Sequence, residues 1–156
     1  WSDYSYPDQP TQLVYYGTSL RESEDFFGGV VLFQKEHFKQ VNGFSNGYWG
    51  WGFEDCDLRL RCLRAGLFPV RRKGTYQGLP HEHHGYLKPQ QLTPTAMRNL
   101  LRYQTLQQHF QYQTEGLNTL DFVVIQQVQL AANVFQIIVD LGLPHETGDR
   151  PPETIT

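Results

Sequence analysis

Glu54, Asp55 and Asp57 follow directly on the run Gly47-Tyr48-Trp49-Gly50-Trp51-Gly52-Phe53. A carboxylate in such a group can take the proton of a sugar or alcohol hydroxyl when its pKa and reach suit. The same acids can instead complement the positive end of a helix, and Asp57 can pair with Arg61 four residues on. Repulsion within the group is expected to raise the pKa of one carboxylate, against the pull of the helix start. Tyr48, Trp49 and Trp51 offer faces that stack on sugar rings, with Gly47, Gly50 and Gly52 letting the loop swing; the alternative is ordinary packing of a Trp-rich turn. A core strand would not carry glycine at every second position. A third group is His81-Glu82-His83-His84, in which His81 and His83 share a face of an extended segment and can both reach one divalent metal, unless they are simply solvated.

The elements that must position these residues are read from caps, breakers and periodicity. Residues 1–12, with Pro7 and Pro10, read as an extended arm, and 17–25 as a polar loop. A strand is expected over 26–34, apolar on both faces as a buried strand would be. Lys35 to Val41 reads as a short helix stopped by Asn42-Gly43. A second helix runs from Glu54 to Ala65, with Leu58, Cys62 and Ala65 on one face and Gly66 as its stop. Residues 67–79 read as short strands joined at Lys73-Gly74, and the histidine segment as a loop. Thr93-Pro94 opens a long helix to about Gln113. Residues 119–129 and 133–140 read as a hairpin, and 143–156 as a flexible tail. Cys56 and Cys62, six apart on a helix, stand about 9 Å apart, too far to bridge.

The 156 residues, 39% hydrophobic and 14% aromatic, suffice for one domain with a core, expected over 1–142. A net charge of −3 with scattered Lys and Arg argues against a nucleic-acid partner. No run approaches the 18 apolar residues of a membrane span, and the polar start has no leader pattern. Because the chain starts at Trp1, it is expected to be a piece of something longer, with any targeting or anchor segment upstream.

Taken together, these motifs resemble the C-terminal half of the β-1,4-galactosyltransferase family. Phe26-Phe27-Gly28-Gly29-Val30 is similar to the family's Tyr-Phe-Gly-Gly-Val, and Val41-Asn42-Gly43-Phe44-Ser45-Asn46 to its Ile-Asn-Gly-Phe-Pro-Asn. Tyr48-Trp49-Gly50-Trp51-Gly52, then Glu54, Asp55 and Asp57, resembles Tyr-Trp-Gly-Trp-Gly-x-Glu-Asp-Asp-Asp. Arg61 stands where the motif's later Arg stands, and Gly116-Leu117-Asn118-Thr119-Leu120 resembles Gly-Leu-Asn-Ser-Leu. The resemblance implies an α/β fold: the C-terminal portion of a GT-A-type nucleotide-diphospho-sugar transferase, a mixed sheet with flanking helices. It implies transfer of galactose or N-acetylgalactosamine from a UDP-sugar donor to a carbohydrate or glycoprotein acceptor, with inversion.

In that reading Asp55 is the catalytic base, and Glu54, Phe53 and Cys56 face the acceptor. Trp51, Phe26, Gly28 and Gly29 face the donor, and His81 and His83 bind Mn²⁺, His83 matching the xylose-acceptor branch. The resemblance further implies a Golgi-lumen protein anchored by an upstream membrane segment. Two departures bear on specificity. Cys56 replaces an acid of the acceptor site, and Phe26 replaces a Tyr that reads the donor sugar, so N-acetylgalactosaminyl or chondroitin-type transfer is a rival. The family's metal-binding Asp-x-Asp lies upstream of the Phe26 strand and is not in this sequence, which leaves a noncatalytic sugar-binding relative as a third reading.

Overall fold

The computed structural model describes residues 7–15, 26–74, 86–88, 91–108 and 111–142. The histidine segment and the tail from residue 143 lie outside them. The chain divides into two units, Trp1–Leu120 and Asp121–Thr156.

The first unit is built on a three-stranded sheet of β1 (Thr11–Tyr15), β2 (Val30–Leu32) and β3 (Val70–Gly74), in the order β2-β1-β3. β1 runs antiparallel to β2 (Thr11 opposite Leu32) and parallel to β3 (Thr11 opposite Val70), so the sheet is mixed. The central strand is therefore the segment read from the sequence as the end of an extended arm. The strand expected over 26–34 is shorter, and it is not buried on both faces. It lies at the sheet edge with Val30 53% exposed, and the positive φ of Gly29 (78°) ends extended pairing before it.

Helices α1 (Lys35–Gln40) and α2 (Glu54–Arg64) stand where their stop signals put them. Asn42 and Gly43 turn the chain out of α1 at φ 59° and 64°, and Gly66 does so after α2 at φ 75°. Leu58 and Cys62 on one face of α2 are fully buried with Phe27, Val41 and Leu67, and Val31, Phe33, Phe38 and Ala65 pack around them. Edge-to-face contacts link Phe27 to Phe33, Phe33 to Phe38 and Phe38 to Phe44 at 5.7–6.1 Å. Cys56 and Cys62 are both free thiols, and burial pushes the Cys62 thiol up to about 12.

Beyond the core lie a small antiparallel pair, β4 (Tyr86–Lys88) with β5 (Gln91–Leu92), and the helix α3 (Pro94–Gln108). Thr93 caps α3 by accepting the Ala96 N–H on its hydroxyl (3.2 Å); the described helix reaches Gln108, and residues 111–113 are not helical, short of the expected Gln113. Among the described residues no helix is long and apolar enough to cross a membrane. The second unit carries the expected hairpin, β6 (Val123–Ala131) against β7 (Val134–Asp140), antiparallel with register shifts near each end.

One buried cation ties the first unit together. Arg61 on α2 is 1% exposed and directs its guanidinium three ways. Nε donates to Asp57 (2.8 Å), Nη1 to the carbonyls of Gly43 (3.4 Å) and Glu115 (2.9 Å), and Nη2 to the Glu115 carboxylate (2.9 Å). Arg102 of α3 also donates to that carboxylate (3.1 Å). Burial pushes Glu115 up, but the Ser45 hydroxyl, the Asn46 amide and the two guanidiniums together hold it below the ordinary carboxylate range. Asp57 is raised by burial, which outweighs its bonds to Arg61.

Removing one partner of a buried ion pair leaves the others uncompensated, so Arg61→Ala should cost about 3–5 kcal/mol in denaturant unfolding. The pH dependence has a defined sign. Glu115, depressed when folded, stabilises above its ordinary value of 4.5, and that contribution is lost as pH falls through the lower folded value. Asp57, raised when folded, acts oppositely, losing stability as pH rises from 3.8 through its folded value. Glu115→Gln should therefore remove the acid-side loss of stability below 4.5 while leaving the Asp57 slope in place. Unfolding free energies measured from pH 3 to 7 check both, and an unchanged acid limb in Glu115→Gln would contradict the network.

Candidate active site

The first turn of α2 meets the segment ahead of β2. Asp55 receives the N–H of Cys56 on Oδ1 (2.8 Å) and the N–H of Phe27 on Oδ2 (3.3 Å). A Cβ on Gly28 would stand 2.7 Å from Asp55 Oδ2 and 2.7 Å from the Phe26 ring, so the close approach requires glycine there. The structure thus brings together Asp55, Phe26 and Gly28, read as catalytic and donor-facing, from positions nearly thirty apart in sequence. Gly29 is exposed beside them.

The Phe26–Gly28 backbone is itself held from the sheet. Gln12 on β1, 1% exposed, donates to the Gly28 carbonyl (2.9 Å) and accepts from Arg71 Nε (3.0 Å), while Arg71 Nη2 donates to the Phe26 carbonyl (2.6 Å). Sequence reasoning missed Gln12 because its strand was read as an arm. The available signal was the run Thr11-Gln12-Leu13-Val14-Tyr15, rich in strand-forming residues with one polar side chain inside it.

α2 has no side-chain N-cap, and Phe53 in the cap position sits at φ 72°. A left-handed backbone is rare for a bulky residue and is held here by its surroundings: the Phe53 ring stacks on Tyr103 of α3 at 5.9 Å. Glu54 turns back to accept the Gly52 N–H (3.1 Å). The carboxyl of Glu54 is raised chiefly by burial, with the charge of Asp55 adding to it. Desolvation, more than mutual repulsion, therefore sets the acidity of this group, and it acts on Glu54 and Asp57. Asp57 belongs to the Arg61 network, as the spacing of the two residues suggested. Cys56 is half-buried beside Asp55.

The indoles of Trp49 and Trp51 are 39% and 42% exposed, so neither is a core side chain. Tyr48 is partly buried instead, with the Arg102 guanidinium 5.4 Å from its ring centre, and burial first, then Asp57, raises its phenol. His81 and His83 lie outside the described residues, and among the described residues no three His, Cys, Asp or Glu cluster to hold a metal. The site offers a carboxylate held by two backbone N–H groups and, in the loop just ahead of its helix, two exposed aromatic side chains; such a carboxylate can take a proton from a hydroxyl placed within hydrogen-bond reach.

Residues 15–85 match the family model of the N-terminal domain of galactosyltransferase. That description names an N-terminal domain, whereas the motif order reads as the C-terminal half. The chain is 40% identical over 90 residues to β-1,4-galactosyltransferase 7 of Drosophila melanogaster, covering 53% of this chain and 28% of that protein. In fold it is similar to the catalytic domain of Drosophila β-1,4-galactosyltransferase 7 crystallised with xylobiose. That match has a TM-score of 0.64 at 26% identity, over 90% of this chain and 61% of the other. A mutant of the same Drosophila enzyme, in complex with manganese, UDP-Gal and xylobiose, aligns with a TM-score of 0.61 at 26% identity, over the same shares of the two chains. The chain spans about a quarter of the length of the curated relatives it matches.

Gly28→Ala should push the Asp55 carboxylate off the Phe27 amide and cost about 1–3 kcal/mol, as overpacking does. Denaturant unfolding reads the cost, and carbon NMR of the Asp55 carboxyl reads the displacement. An unshifted Asp55 signal would contradict the contact.

Proposed function

We propose that this chain, which belongs to the β-1,4-galactosyltransferase family, is the C-terminal, acceptor-side part of an inverting hexosyltransferase. It transfers galactose from UDP-galactose to a sugar acceptor. The observation that carries the reading is the Asp55 carboxylate, bonded to the Phe27 amide at the start of α2, which follows directly on the loop with the exposed Trp49 and Trp51. Asp55 is already oriented by two backbone N–H groups, and each of its oxygens retains a lone pair for the acceptor hydroxyl. As the hydroxyl oxygen attacks the anomeric carbon, Asp55 takes its proton, the bond to the diphosphate breaks on the opposite face, and the configuration inverts. Glu54 and Phe53 border the acceptor, and Trp51 closes over the nucleotide sugar next to Phe26.

His81 and His83 are assigned on sequence as imidazole donors for Mn²⁺; as neutral nitrogen ligands they leave coordination positions for diphosphate oxygens. Bound there, the cation would neutralise the departing diphosphate. A xylose acceptor is favoured by the His-x-His spacing and by the solved relatives with xylobiose. A Golgi-lumen location and an upstream membrane anchor follow from the same family reading. Phe26 favours a second reading, in which N-acetylgalactosamine is the donor sugar, because a phenyl ring lacks the hydroxyl that a tyrosine would offer.

Asp55→Asn, which keeps size and polarity but not basicity, should lower kcat about 10²-fold or more in the full-length protein, with Tm little changed. Steady-state kinetics with UDP-galactose and UDP-N-acetylgalactosamine read it, and wild-type turnover in the variant would rule out the mechanism. Cys56→Asp should act on the acceptor KM instead, since it adds a binding carboxylate beside an untouched base. For the metal, calorimetry should show Mn²⁺ affinity falling in His81→Ala and, in the wild type, as pH drops through about 6.5, because only the neutral ring coordinates. Equal affinity in the two proteins would remove the histidine assignment.

A further inference from the structure

The loop that presents the two tryptophans is held by one face of α3. Thr95, Asn99, Arg102 and Tyr103 follow the i, i+4, i+7, i+8 spacing of a helix stripe. Each meets the loop. The Thr95 methyl lies 2.6 Å from where a Cβ on Gly50 would be, Arg102 covers the Tyr48 ring, and Tyr103 stacks on Phe53. Between them Asn99 donates both protons of its carboxamide, one to the Trp49 carbonyl (3.0 Å) and one to the Trp51 carbonyl (3.1 Å).

We infer that Asn99 is the positioning residue of the tryptophan loop: its carboxamide fixes the backbone on either side of Gly50 and thereby sets where both indoles stand for the donor. The inference rests on the transferase reading for its kinetic consequence alone. Three observations carry it. Burial does not fix the loop, since Trp49 and Trp51 are 39% and 42% exposed and Gly50 and Gly52 at φ 71° and 106° leave its backbone permissive. Asn99 is 1% exposed and its Oδ1 has no partner among the described residues, a desolvation cost that an apolar side chain of similar size would avoid. The amide orientation is set by its partners, because both loop groups are carbonyls and only the NH₂ end can face them. No other uncharged side chain as short supplies two donors from one nitrogen.

The test uses this chain with Trp1→Phe in every variant, so that its tryptophan emission comes only from Trp49 and Trp51. Without ligand, Asn99→Asp and Asn99→Ala should loosen the loop and so raise exchange of the Gly52 amide, which is bonded to Glu54, about tenfold or more, as loss of about two hydrogen bonds predicts, and should raise acrylamide quenching. Ala96→Gly weakens the same buried helix face by propensity without touching the loop carbonyls and should raise neither. With UDP-galactose, the two Asn99 variants should raise the donor KM about tenfold while acceptor KM and kcat stay near wild type. Unchanged exchange in both Asn99 variants, or an equal rise in Ala96→Gly, would overturn the assignment. If neither Asn99 variant folds, the wild-type side-chain amide decides: both Asn99 protons should be protected from exchange, and free exchange of either contradicts the bond. A wild type without turnover would defeat the transferase reading alone, since the exchange measurements still decide the role of Asn99.

Discussion

The first unit depends on a single buried guanidinium. Arg61 joins three segments that the chain order keeps apart: its own helix through Asp57, the turn after α1 through the Gly43 carbonyl, and the 115–116 corner through Glu115. The packing around it admits little change. A Cβ on Gly116 would run into the Asn42 carbonyl and the Arg61 guanidinium, and one on Gly47 into the Arg102 guanidinium. An ion buried to this degree is costly unless its hydrogen bonds are met, and all three nitrogens of Arg61 find acceptors. The consequence is geometric: α2 is fixed in rotation, so Asp55, at its first turn, faces the Phe26–Gly28 segment.

From that fixed helix the site follows in two directions. On one side Gln12 of the central strand and Arg71 of β3 hold the Phe26–Gly28 backbone against Asp55. On the other, α3 carries the tryptophan loop on a stripe of four side chains. The carboxylate is thus supported by regular structure while the aromatic residues ride on glycine-rich backbone, the usual division between a rigid reacting group and an adaptable cover. Cys56, beside Asp55, puts a weakly hydrogen-bonding thiol where acceptor selectivity would be set.

Much of this was legible in the sequence where the signal is local. Asn42-Gly43 and Gly66 announced helix stops because both sites need a left-handed backbone, and two runs rich in strand-forming residues, 119–129 and 133–140, announced the hairpin. The four-residue spacing of Asp57 and Arg61 announced their pair. What escaped was non-local. β1 looked like an arm because its partners, β2 and β3, lie far along the chain. The strand expected over 26–34 shrank because Gly28 serves the approach of Asp55 and Gly29 turns the backbone at φ 78° instead of joining the ladder. Glu115 and Asn99 gave no periodic signal, since each acts on partners roughly fifty positions away. The motif order pointed to Asp55, and packing supplies the reasons it stands against the Phe26–Gly28 segment.

The central claim is that Asp55 is the group that takes the acceptor proton. The structure of the full-length protein with Mn²⁺, an unreactive UDP-galactose analogue and a sugar acceptor measures it most directly. The account predicts the nucleophilic hydroxyl within about 2.6–3.2 Å of an Asp55 carboxylate oxygen, on the face of the donor sugar opposite the diphosphate. An acceptor bound with that hydroxyl against Glu54, Asp57 or solvent, and Asp55 out of hydrogen-bond reach, would contradict it.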